Sequence, residues 1–160
     1  MIRNEILAVS GELERRPGGP GTADDVNACR RSLYLLQKRE RPPALQALFD
    51  GPSAAAESCP RRSVSTVPLQ PLYLLNNDWS VRRARSFARR VLARAGTDPE
   101  RQTEAAFVLA LGRRPDAEEV QAARAFFREH AGAAVPEELA TTLVHFCQGL
   151  LNVNEFVYLE

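Results

Sequence analysis

Histidine, cysteine and lysine are nearly missing from this chain of 160 residues, which holds two, three and one of them. The cysteines, Cys29, Cys59 and Cys147, stand far apart with no Cys-x-x-Cys pair. That spacing excludes a zinc ribbon and a Cys-x-x-Cys-His haem attachment, and at least one thiol has no partner within the chain. Neither His130 nor His145 has thiolates or carboxylates at ligand spacing, so no metal site is expected. No apolar run is long enough to span a bilayer, and no signal-peptide pattern is present. Pro17, Gly18, Gly19, Pro20 and Gly21 lack the Lys-Ser/Thr that completes a phosphate cradle, and they read as a loop.

What is there belongs to a globular chain: 44% hydrophobic and 26% charged residues, at a length that makes one domain over 1–160 with its own core. The charge is segregated. Residues 30–94 carry 13 basic against 4 acidic side chains, and residues 95–160 carry 5 against 11, so the two parts are expected to complement each other.

The stretch from Cys59 to Asn77, CPRRSVSTVPLQPLYLLNN, moves from a basic, proline-punctuated segment into an apolar run that ends in paired amides. Pro68 and Pro71 push the residues before them out of the α region, so the segment enters extended. Pro71 suits the first turn of a short buried helix through Leu72 and Leu75, and Asn76 and Asn77 suit its exit. Arg61 and Arg62 can bind an anion as guanidinium forks or tie the loop to backbone carbonyls and carboxylates. With Gln70 and Asn76 they form the candidate polar site, although nothing nearby supplies a nucleophile and base at usable spacing.

Elsewhere the pattern is helical. Ile2, Ile6 and Val9 share a face before the stop at Gly11, and this stripe is expected to leave an uncovered apolar patch near the N-terminus. Arg30–Arg39 fits a strand or a short helix, and Tyr34 and the following Pro42 and Pro43 favour an extended segment. Ala44–Phe49 suggests a brief helix before the turn FDGP, and 53–58 a surface loop. Ser80 can cap a helix whose apolar face runs from Val81 through Ala88 and Val91 to Ala95, stopped by Gly96. Arg82, Arg83, Arg85, Arg89, Arg90 and Arg94 occupy the remainder. They are expected beside Glu100, Glu104, Glu118 or Glu119, or as a patch for a partner; binding of nucleic acid or an anionic surface is the third function class. Asp98, Pro99 and Gly112 delimit the next helix, and Asp116 and Glu119 stand at capping-box spacing before another. His130 reads as a helix-end residue. A last helix runs from about Glu137 to Leu151 and places His145 and Cys147 on different faces, before an extended tail at Phe156–Leu159. Leu72, Leu75, Phe107, Phe126 and Phe146 are the expected core.

The ordered succession RRSLYLLQKR, PP, FDGP, CPRR, TVPLQPLYLLNN, LGRRPDAEE and LLNVNEFVYLE resembles a planctomycete family over nearly the whole chain. That family is the C-terminal domain of unknown function number 1553, found in large proteins that often begin with a planctomycete-type cytochrome c domain. Pro71 stands where the family usually has alanine, and LLNN before Asp78 and Trp79 replaces its usual LLND-Pro-Phe. The resemblance implies a C-terminal part of a longer extracytoplasmic protein, with upstream domains as partners and with haem, if any, outside this chain.

The expected architecture is mainly α, with an irregular, partly extended N-terminal half and a helical C-terminal half of about three helices. The leading function is a non-catalytic structural or interaction module. The alternative is part of an enzyme site completed by upstream sequence.

Overall fold

The computed structural model describes residues 2–38, 42–49, 68–130 and 136–158, of which 136–140 by backbone alone. Its helices are α1 (Ile2–Ser10), α2 (Ala44–Leu48), α3 (Leu69–Asn76), α4 (Asp78–Ala95), α5 (Pro99–Leu111), α6 (Ala117–Glu129), α7 (Pro136–Leu150) and α8 (Asn154–Val157), with a 3-10 turn at Ser32–Tyr34. Among the described residues there is no strand; two isolated parallel bridges, Glu14 with Arg30 and Thr22 with Leu35, order the irregular segment between α1 and α2. The fold is mainly α, with its irregularity in the first half. FDGP, the 53–58 loop, Cys59, Arg61 and Arg62 fall at least in part outside the described residues.

The helix ends follow local chemistry. Asp98 accepts from the Glu100 amide at 3.0 Å, Pro99 fills the first helical position of α5, and Gly112 takes the left-handed conformation that ends it. Asp116 and Glu119 close a reciprocal capping box on α6, with both bonds at 2.8 Å. Ser80 does not cap α4. Asn77 does, accepting from the Trp79 amide at 2.9 Å, because its extended backbone and amide oxygen serve that role as well as a serine would, three residues earlier. Ser80 is buried inside the helix.

Helix α4 is the central element, packed against α7, α1, α5 and α3. Alanines at 84, 88 and 106 let backbones approach, while Phe87, Val91, Leu143 and Cys147 fill the centre. Ile6 and Leu7 are wholly buried, and each large aliphatic side chain so placed contributes about 1.5–3 kcal/mol. The expected N-terminal patch is therefore absent: the Ile2, Ile6 and Val9 stripe is covered by this chain's own α4.

Of the expected core, Phe107 is buried and Phe126 and Phe146 are half-buried in an aromatic cluster with Phe127. Leu72 and Leu75 are not core residues, being 52% and 45% exposed. The leucine run circles α3, and only the face bearing Gln70 and Leu74, one turn apart, turns inward; Leu69, Leu72 and Leu75 share the outer face. The tail at Phe156 packs back as expected, but as the helical turn α8 rather than an extended strand.

Candidate functional site

Of the four residues in the candidate polar site, Arg61 and Arg62 lie outside the described residues. Gln70 is almost wholly buried. Its amide nitrogen donates to the Leu48 carbonyl at 3.1 Å, and its oxygen accepts from the Tyr158 hydroxyl at 2.9 Å. Asn76 is exposed and donates back to the Leu72 carbonyl at 2.8 Å, within its own helix. Gln70 and Asn76 therefore have different partners. Beside Gln70 lies a cavity of about 230 Å³ bounded by Pro71, Leu74, Asn152 and Tyr158. The side-chain oxygen of Asn152 is buried with no hydrogen-bond partner among the described residues.

The structure joins sequence runs that are far apart. Gln148 of α7 donates to the Leu75 carbonyl at 2.6 Å and reaches that of Leu74 at 3.4 Å, so it holds the C-terminal end of α3 while Gln70 holds the other. Arg113, in the turn between α5 and α6, donates a fork to Glu119 at 2.7 and 2.8 Å and a second fork to Glu155 at 2.7 and 2.8 Å. Hydrogen bonds from Arg113 hold both carboxyls below their usual range. The same bonds, Glu119 first and then Glu155, raise the guanidinium further above its already high value. LGRRPDAEE is thus tied to LLNVNEFVYLE.

The arginines of α4 do not meet the acidic residues expected to face them. Glu100 pairs with Arg124, Glu104 with Arg114 and Glu119 with Arg113. Arg82, Arg83 and Arg90 turn instead to the N-terminal segment. Arg83 is buried, donating to the Val26 carbonyl at 2.8 Å and lying 3.0 Å from a Glu12 carboxylate oxygen and 3.2 Å from the Cys29 sulfur. Arg90 donates to the Ala8 and Val9 carbonyls, both at 2.9 Å, and so satisfies the C-terminal end of α1. From α1, Arg3 donates to the Ala28 and Arg30 carbonyls, both at 2.7 Å. Arg3 and Arg83 each lie 5.6 Å from the Trp79 ring centre. Sequence spacing set Arg83 and Arg90 beside carboxylates or a partner because it cannot see the loop carbonyls that a guanidinium satisfies.

Arg30 explains the glycine-rich loop. Its guanidinium stacks on Tyr34 at 4.0 Å and donates to the carbonyls of Pro20, Gly18 and Arg16. Gly18 and Gly19 adopt positive φ to aim those oxygens. A loop that presents carbonyls to a cation is the electrostatic opposite of a phosphate cradle.

Between α4 and α7 runs a groove of about 960 Å³. Arg82, Arg85 and Arg89 line it with Thr141 and His145, and Leu75, Leu92 and Val144 add apolar surface. Cys29 also borders it, with a free thiol. Cys147 is buried, and burial pushes its thiol well above the ordinary range, so it is no nucleophile; His145 is exposed, on another face of α7. His130 ends α6, its Nδ1 2.8 Å from the Phe126 carbonyl and its ring stacked on Phe126. No helix among the described residues is long and apolar enough to cross a membrane.

These features define an α-helical module whose buried polar side chains serve as internal ties. The family model described as PSD1, protein of unknown function (DUF1553), matches residues 1–127, and the chain belongs to that family. The run that carries Asn152, Glu155 and Tyr158 lies beyond the matched span. No curated protein and no solved structure matches the chain.

Proposed function

We propose that this chain is a non-catalytic structural or interaction module of a larger protein. The observation that carries the reading is where the motif residues are engaged: Gln70 on Tyr158 and Leu48, Leu75 by Gln148 of α7, and Arg113 on Glu119 and Glu155. Side chains so engaged hold elements together. The resemblance to large extracytoplasmic, cytochrome-associated proteins supports upstream domains of the same polypeptide as partners, with any haem carried there. The outer face of α3, with Leu69, Leu72 and Leu75 exposed on a helix fastened near both ends, is a firm apolar surface for such a domain.

Hydrogen exchange on the isolated chain and on the longer family protein tests this reading. The expected result is protection at Leu69–Leu75 that appears only with the upstream domains attached. Equal exchange in both forms would contradict it.

One observation favours a second reading, an enzyme site completed by upstream sequence: Asn152, which borders the cavity beside Gln70, has a buried side-chain oxygen with no hydrogen-bond partner among the described residues. Under that reading Arg61, Arg62, Gln70 and Asn76 belong to the site. Substitution of Asn152 by Asp would then change turnover of the longer protein with little change in its melting temperature.

A further inference from the structure

We infer that the groove between α4 and α7 is a docking site for an acidic amphipathic helix of a protein partner, an inference that rests on the interaction-module reading and names the chemistry of the partner. Arg82, Arg85 and Arg89 stand at i, i+3 and i+7 on α4 and form a cationic wall about 10 Å long at 1.5 Å per residue. All three are exposed. Arg82 reaches only Asn27, at 3.2 Å, and Arg89 only Ser86, at 2.8 Å; Arg85 has no partner among the described residues. Glu12, the one carboxylate among the described lining residues, lies 3.0 Å from Arg83. The acidic side chains Glu100, Glu104 and Glu119 are held by arginines of other elements. Among the described residues no acidic side chain pairs with Arg82, Arg85 or Arg89, which leaves the wall open to an acidic partner.

The groove's shape and lining choose among polyanions. Leu75 and Leu92, 45% and 40% exposed, border the same groove, and Val144 lies between the charged positions and the core. A phosphodiester backbone would leave those leucines uncovered, and the described lining holds no Phe, Tyr or Trp on which bases could stack. A flat bilayer surface cannot enter a concavity between two helices. A helix with acidic residues at the same i, i+3, i+7 spacing and leucines on the adjoining face satisfies both features, with apolar burial giving affinity and the arginines giving register.

The test is fluorescence anisotropy of a labelled synthetic helical peptide, with glutamates and leucines on adjoining faces, titrated with the intact chain. The expected result is saturable binding at micromolar protein, with roughly tenfold weakening in the Arg85→Gln/Arg89→Gln double variant and comparable weakening in Leu92→Asn. Arg101→Gln, an exposed change on α5, should bind like the parent. All these positions are exposed, and circular dichroism confirms that each variant folds. The inference is overturned if the peptide does not bind, if its lysine-for-glutamate version binds as tightly, or if dodecanoate or duplex DNA displaces it at similar concentration. Protection of the α3 face in the longer protein without peptide binding here would overturn this inference alone. Loss of both would remove the interaction-module reading as well.

Discussion

Replacing Arg3 by methionine keeps the apolar stem and removes the fork. The side chain is 2% exposed, and its guanidinium satisfies the Ala28 and Arg30 carbonyls at 2.7 Å while reaching Ser32 Oγ at 3.5 Å. Burial lowers its pKa, opposed chiefly by the charge of Asp24, and the group remains a cation at neutral pH. Each charge-assisted hydrogen bond contributes about 1.5–3 kcal/mol, and the variant leaves two buried carbonyls without a donor. The expected loss is about 3–5 kcal/mol, a large share of a stability of about 5–15 kcal/mol. At about 2–4 °C per kcal/mol for a chain of this length, the melting temperature should fall by about 6–20 °C. Arg3→Lys keeps the charge but cannot reach both carbonyls with one planar group, so it should recover less than half of the loss. Thermal and urea unfolding followed by circular dichroism measure both. A methionine variant that melts within about 2 °C of the parent, or a lysine variant that matches it, would refute the role assigned to the buried fork.

Glu119 and Glu155 titrate below their usual range because of Arg113, so their contribution to stability is fully present above the unfolded-state value near 4.5 and is lost as pH falls through the depressed folded values. Arg113→Gln should remove that contribution and move acid unfolding to higher pH, read from melting temperatures across an acid series. Cys147 should stay unmodified by a thiol reagent in the native protein and react only in denaturant, as peptide mapping after labelling would show; native labelling at Cys147 would contradict its burial. Phe87→Ala, at the centre of α4, should cost about 3–5 kcal/mol in urea unfolding, whereas Leu72→Ala on the exposed face should cost far less.

The second half of the fold was legible because its signals are local. Asp98, Pro99 and Gly112 bound α5, and Asp116 with Glu119 opens α6, through contacts within a few residues of one another. The first half is held by contacts that no periodicity records: Arg3 to Ala28 and Arg30, Arg83 to Val26, and Arg90 to Ala8 and Val9. A guanidinium bound to loop carbonyls leaves no spacing rule in the sequence: of the six arginines on α4 only Arg83 is buried, and nothing in its position marks it. Gln70 was picked out by its place between two prolines, but its partners lie 22 and 88 residues away. The exposed side of α3 was misread because four successive apolar residues cannot show which face turns inward. The groove between α4 and α7 needed the pairing of two helices that the sequence does not specify.

The most direct test of whether motif side chains act as ties is a double-mutant cycle on Gln70→Leu and Tyr158→Phe, which join α3 to the C-terminal segment through one hydrogen bond of 2.9 Å. Urea unfolding of the parent, the two single variants and the double variant gives the coupling free energy. A structural tie predicts a favourable coupling of about 0.5–1.5 kcal/mol, with Gln70→Leu the more damaging single change because it also abandons the Leu48 carbonyl. A coupling of zero, with Gln70→Leu as stable as the parent, would contradict the account.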